Sequence, residues 1–155
     1  MALEIERKFL VKNESWRGAV EREWRILQGY LATSGDLTVR VRMRDGAAFL
    51  TIKGPPRGLV RSEFEYAIPP ADGEAMLREL TILPLIDKMR YRVPCGAHYW
   101  DVDVFTGDNA GLVLAEIELK REHESFEHPS WLGLDVTDDL RYSNANLARR
   151  PFKEW

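Results

Sequence analysis

Leu3-Glu4-Ile5-Glu6-Arg7-Lys8-Phe9-Leu10-Val11 places charged and apolar residues at alternate positions. Successive side chains of an extended strand point to opposite faces. Glu4, Glu6 and Lys8 therefore share one face, and Ile5 and Phe9 the other. The same period of two returns along residues 3–12, 22–33, 36–44, 47–53, 59–68, 86–93, 98–105 and 112–121, all rich in β-branched and aromatic residues. Asp45-Gly46 marks a tight hairpin, because both residues tolerate positive φ, and Ser34-Gly35-Asp36 marks another turn. The prolines of Gly54-Pro55-Pro56-Arg57-Gly58 exclude a central strand there. The spacing predicts one clear helix over Gly73–Leu80, opened by Pro69-Pro70-Ala71-Asp72, and a short one around Asn144–Ala148 after a turn. With no repeat or linker, one α+β, mainly β domain is expected over residues 1–155. Its architecture is an eight-stranded antiparallel β-barrel with helices packed outside.

Of the 155 residues, 45% are apolar and 30% charged, which predicts a soluble globular chain rather than a disordered one. A formal charge of -3 supplies no overall basic field, so no nucleic-acid partner is expected. Any anion must be held by locally gathered Lys and Arg. The single cysteine, Cys95, excludes an internal disulfide. The N-terminus is charged by its fourth residue and no segment is apolar enough to span a membrane, so a cytoplasmic location without membrane association is expected.

The polar faces of the strands are unusual. Arg40, Arg42 and Arg44 alternate with Val39, Val41 and Met43; Lys88, Arg90 and Arg92 alternate with Met89, Tyr91 and Val93. Arg61, Glu63 and Glu65 share a face, as do Asp101 and Asp103, and Glu116, Glu118 and Lys120. Any one such pair reads as a solvated outer face. Together, acidic and basic pairs fall on separate strands, and like-charge neighbours destabilise a bare sheet. They make sense with opposite charge between them. Carboxylate pairs suit a hard divalent cation, Mg²⁺ or Mn²⁺, and paired Arg and Lys suit phosphate oxygens. Both sets inside one closed sheet would form a tunnel with a charged lumen. The apolar faces would then point outward, covered by helices and by aromatics such as Trp24 and Trp100.

The ordered set Glu4-x-Glu6-x-Lys8, Arg40-x-Arg42, Thr51-Ile52-Lys53, Arg61-x-Glu63-x-Glu65, Lys88-x-Arg90-x-Arg92, Asp101-x-Asp103 and Glu116-x-Glu118-x-Lys120 resembles the CYTH superfamily, the triphosphate tunnel metalloenzymes. Asp135-Val136-Thr137 and Arg141-Tyr142-Ser143-Asn144 look like its small bacterial members. The resemblance covers nearly the whole chain and implies an eight-stranded tunnel binding a triphosphate with one or two Mg²⁺ or Mn²⁺ ions. On that basis Lys8, Arg40, Arg42, Lys53, Arg61, Arg90 and Lys120 would hold phosphate oxygens. Glu4, Glu6, Glu63, Glu65, Asp101, Asp103, Glu116 and Glu118 would hold or orient metal. Lys88, Glu6 and Glu118 would be the catalytic groups, with Lys88 neutralising the leaving group or assisting proton transfer. Tyr30 falls where the family often has a tyrosine near the tunnel.

His98, His123 and His128 lack metal-ligand spacing, and Cys95 has no paired base in view. The expected activity is metal-dependent hydrolysis of inorganic tripolyphosphate to pyrophosphate and phosphate, since little beyond the tunnel could grip a nucleoside or thiamine. The alternatives are an adenylate cyclase of the same fold, a thiamine or nucleoside triphosphatase, and a non-catalytic polyphosphate-binding module. Surplus carboxylates argue against the last unless metals are bound. A homodimer is the assembly considered.

Overall fold

The computed structural model describes residues 3–155. Nine strands run β1 (Leu3–Val11), β2 (Arg22–Ser34), β3 (Leu37–Arg44), β4 (Ala47–Lys53), β5 (Val60–Ile68), β6 (Ile86–Cys95), β7 (His98–Phe105), β8 (Val113–Glu118) and β9 (Leu132–Asp135). The helices are α1 (Pro70–Glu79) and α2 (Asn144–Arg149). Neighbours follow the order β5-β4-β3-β2-β6-β7-β8-β1-β9, and a β5–β1 pairing closes eight of the strands into an antiparallel barrel. One edge of β1 pairs with β8 from Glu6 to Leu10. Its other edge is shared, with β5 along Leu3–Ile5 and β9 at Phe9 and Val11. Asp45 (φ 53°) and Gly46 (φ 79°) make the expected hairpin turn between β3 and β4.

Four local expectations change, one of them that α2 fills part of the lumen instead of packing outside the barrel. The ninth strand is new. It is short and contains Gly133, where an added Cβ would lie 2.9 Å from the Leu10 carbonyl oxygen, so backbone contact rather than side-chain pattern defines it. The strand expected over 112–121 ends at Glu118, although the Leu119 amide still donates to the Ile5 carbonyl at 2.8 Å. Trp24 also moves. It lies directly opposite Arg90, on the charged face, because residues paired across a ladder share a face. Trp100 does point outward, packing edge-on against Phe9, Phe126 and Trp131 in an outer apolar cluster that Trp16 and Ile117 join.

Helix α1 packs on the outer face of the β3–β4 hairpin, where Gly73 meets Met43 and Ala48. Helix α2 belongs to the lumen. Ile86, Phe105 and Leu114 share the inward face with Lys88 and Asp103, and they cluster with Ala145, Leu147 and Ala148. The lumen thus changes character along its length: charged over one stretch, apolar over the next, with α2 filling the apolar part. Ser143 starts this helix by accepting from the Asn146 amide at 3.2 Å.

A Cβ at Gly73 would stand 2.5 Å from the Ala48 Cβ and 2.9 Å from the Met43 sulfur. Alanine is about 1 kcal/mol better than glycine in a helix interior, whereas overpacking costs about 1–3 kcal/mol. Ala48 is anchored to its strand and has no flexible end to yield, so the clash wins. Gly73→Ala should lower the unfolding free energy by up to about 2 kcal/mol in urea denaturation, the difference between those figures. A more stable variant would disprove this packing of α1.

Candidate functional site

Read around the barrel, the inward side chains form two half-walls. Four consecutive strands, β7, β8, β1 and β5, present Asp101 and Asp103, Glu116 and Glu118, Glu4 and Glu6, and Glu63 and Glu65. The facing strands β4, β3, β2 and β6 present Lys53, then Arg40, Arg42 and Arg44, then the largely uncharged β2, then Lys88, Arg90 and Arg92. Lys8 and Arg61 are the bases on the acidic side. A single cavity is lined by most of these residues, together with Thr38, Tyr30 and the α2 segment around Asn144.

Beneath the cavity lies a closed ionic floor. Lys88 and Asp103 are both 0% exposed, and the ammonium stands 2.7 Å from the carboxylate. Arg90 clasps the same carboxylate through two nitrogens at 2.7 and 2.9 Å, and approaches Glu116 at 3.4 Å. Burial lowers the Lys88 ammonium to about 7; Asp103 opposes that shift and neighbouring Arg90 adds to it. Asp103 titrates below its ordinary range although burial acts the other way, because Arg90 and Lys88 flank it. The Asn144 amide oxygen accepts from Lys88 at 3.0 Å and from Gln28 at 3.2 Å, and Gln28 accepts from Arg42 Nε at 2.8 Å. Gln28 and Asn144 were not expected as site residues. The sequence carried no signal for Gln28, because it is in step with Trp24, which was expected on the outer face; the register with Arg42 places it in the lumen.

The remaining cations divide by what they touch. Lys53 bridges Glu4 at 2.8 Å and Glu63 at 3.2 Å. Lys8 reaches Glu116 at 3.6 Å and donates to the Tyr142 carbonyl at 3.0 Å. Arg40 lies 3.9 Å from Glu65 and 3.4 Å from the Thr51 hydroxyl. Arg61 donates to the carbonyls of Gly54 and Asp36, tying two loops together at the edge of the cavity. Arg42 differs: among the described residues its one partner is Gln28, and burial beside Arg40 and Arg90 lowers its guanidinium to about 9. Lys120 stands apart, exposed beyond the end of β8, where its amide donates to Glu124.

On the acidic side, Glu6 is paired in register with Glu118 and makes no hydrogen bond or ion pair among the described residues. Burial, then Glu116 and Glu4, push its carboxyl well above the carboxylate range. Glu118 is also raised, by burial and then Glu4. Glu63 is raised to about 7 by burial and by its hydrogen bond with Glu4. A divalent cation would relieve this strain, and the donor set is the oxygen-only one that Mg²⁺ or Mn²⁺ prefers. No three acidic, cysteine or histidine side chains converge at ligand spacing among the described residues. Mg²⁺ is usually bound by one or two carboxylates and completed by water and phosphate. Two of the three histidines are engaged elsewhere, His98 with Glu124 and His128 stacked on Phe126.

A closed antiparallel barrel with opposed acidic and basic half-walls belongs to the class of tunnel-type β-barrels with a polar lumen. Comparison with known proteins narrows this: the chain belongs to the CYTH family, whose domain matches residues 2–152. It is 40% identical over 155 residues to a protein of Acetivibrio thermocellus named inorganic triphosphatase, covering 100% of this chain and 99% of that one. It is 38% identical over 152 residues to the inorganic triphosphatase of Nitrosomonas europaea, covering 94% and 96%. The crystal structure of an inorganic triphosphatase superposes with a TM-score of 0.68 at 33% identity, over 96% of this chain and 95% of that one.

The ionic floor makes an asymmetric demand on its two ends. Asp103→Asn leaves two buried cations without their shared anion and should destabilise the protein by about 3–5 kcal/mol. Lys88→Met removes one cation while Arg90 still satisfies Asp103, so the loss should be smaller. Chemical denaturation of both variants checks the ranking, and an equal or greater loss in Lys88→Met would contradict it.

Proposed function

We propose that this protein is a divalent-metal-dependent triphosphatase that hydrolyses inorganic tripolyphosphate to pyrophosphate and phosphate inside the barrel. One observation carries the reading: Glu6 and Arg42, which both line the cavity and make no ion pair among the described residues, have opposite signs and stand on opposite half-walls. Burial disfavours the charged form of each. A cation at Glu6 and a polyanion at Arg42 would reverse both effects together. The names of the relatives support the same activity.

In this reading Arg40, Arg42 and Arg90 hold the phosphate oxygens, with Lys8 and Lys53 completing the grip from either side of the β1–β5 seam. Glu6 and Glu118, backed by Glu4, Glu116, Glu63 and Glu65, hold the metal, Mg²⁺ or Mn²⁺. Bound there, the metal supplies charge neutralisation at the phosphoryl oxygens and a source of activated water. Arg90 is kept rigid by Asp103, so its guanidinium is aimed before substrate arrives. Lys88 contributes from below, setting the charge of the floor and orienting Asn144.

Protein purified with Mg²⁺ or Mn²⁺ should release phosphate from tripolyphosphate faster than from ATP and form no cyclic AMP; cyclic AMP at a comparable rate would overturn the proposal. Glu6→Gln and Glu118→Gln should each lose about 100-fold or more in kcat, as expected when one electrostatic element of a phosphoryl-transfer site is removed. Wild-type turnover in either would remove that residue from the site. Arg42→Ala should act mainly on KM.

A further inference from the structure

The basic half-wall does not stop at the residues expected to grip the substrate. On β3 the inward row runs from Arg40 and Arg42 to Arg44, and on β6 from Lys88 and Arg90 to Arg92, while Trp24 of β2 stands between the two rows, opposite Arg90. Trp24 is 8% exposed and its ring is covered by guanidinium groups: the Cζ atoms of Arg22 and Arg92 lie 5.3 Å from the ring centre and that of Arg44 lies 5.7 Å away. Arg92 also stacks on Tyr99 at 3.9 Å, and Arg44 on Phe49 at 4.9 Å.

Stacking on an aromatic face fixes a guanidinium without using its N–H donors. Most of those donors remain unused. Arg44 makes no hydrogen bond or ion pair among the described residues. Arg92 has one ionic approach, 3.5 Å to Asp101, and its buried Nε has no hydrogen-bond partner. Arg44 and Arg92 both border the charged cavity, and like-charged neighbours on one indole are unfavourable unless an anion joins them. A solvated surface arginine would need neither the ring beneath it nor the shared cavity.

We propose that Arg44 and Arg92 form an outer anion-binding step that selects substrates whose far end is itself a charged phosphate, with Trp24 as the positioning residue that holds both guanidiniums. This rests on the triphosphatase reading and deepens it by naming what separates an inorganic chain from a nucleoside triphosphate. The aromatic faces at this step are already occupied by arginine, so they offer a nucleobase no free stacking platform. They offer a terminal phosphate two forks.

The test compares wild type with Arg44→Gln, Arg92→Gln, Trp24→Leu and Trp24→Phe. Steady-state hydrolysis of tripolyphosphate and of ATP is measured with Mg²⁺, and binding of both anions by calorimetry in EDTA. Losing one charge-assisted contact should raise KM and Kd for tripolyphosphate about tenfold, with kcat little changed. The same values for ATP should move less than about threefold, so selectivity falls. Trp24→Leu should follow the arginine variants, and Trp24→Phe, which keeps an aromatic face, should recover most of the loss. Equal losses for the two anions, a loss confined to kcat, or no change would each overturn the proposal. If wild type hydrolyses neither anion the triphosphatase reading fails, while the calorimetric ratios still decide this one; if wild type does not bind tripolyphosphate, both fail. The two glutamine variants alter no core residue, so the outcome does not depend on how Trp24→Leu folds.

Discussion

The Asp103 carboxylate has no surface of its own and holds two cations, Arg90 by a two-nitrogen clasp and Lys88 by a single contact. Everything above it depends on that anchoring. An isolated buried charge would be intolerable, but here three charged groups and two amides form a network in which each finds a partner. The result is a rigid platform at the base of the cavity. Its reach extends to α2, because Asn144 closes the network from the helix side.

Above the floor the arrangement is deliberately incomplete. Four strands bring carboxylates together and their opposite strands bring bases together, yet the two sets only partly neutralise one another. Lys53 satisfies Glu4 and Glu63, and Arg90 reaches Glu116, but Glu6, Arg42 and Arg44 make no ion pair among the described residues. A protein selected for stability alone would have paired them or replaced them by apolar side chains. Such leftover charges are characteristic of binding sites, where the missing partner is the ligand.

Much of this was legible in the sequence, because a period of two assigns faces wherever one set of alternate residues is apolar and the other charged. That condition holds for Val39–Arg44 and Lys88–Val93, and their faces came out as read. It fails for Arg22-Glu23-Trp24-Arg25-Ile26-Leu27, where both faces are mixed, so only the register with β6 shows that Trp24 looks inward. The role of α2 was hidden for another reason. Six helical residues carry too little pattern to say whether they cover a barrel or fill it. The offset between Tyr30 and Ala32 in the β2–β3 ladder follows Gly29 but has no proline to mark it, and β9 is defined by backbone proximity to Leu10.

The shared edge of β1 has a consequence for how the chain is made. Leu3, Glu4 and Ile5 meet β5 at Ser62, Arg61 and Val60, whereas Glu6 to Leu10 meet β8 between Leu114 and Glu118. Strand β1 therefore waits until β8, which ends at Glu118, has been made before its longer partner exists, and such distant pairings are slow to form. Until then β2 to β5 can assemble as a meander from neighbouring hairpins, but no enclosed lumen exists and its charges stay hydrated. The electrostatic strain of the finished tunnel is thus imposed in one late event, when the seam at β1 shuts.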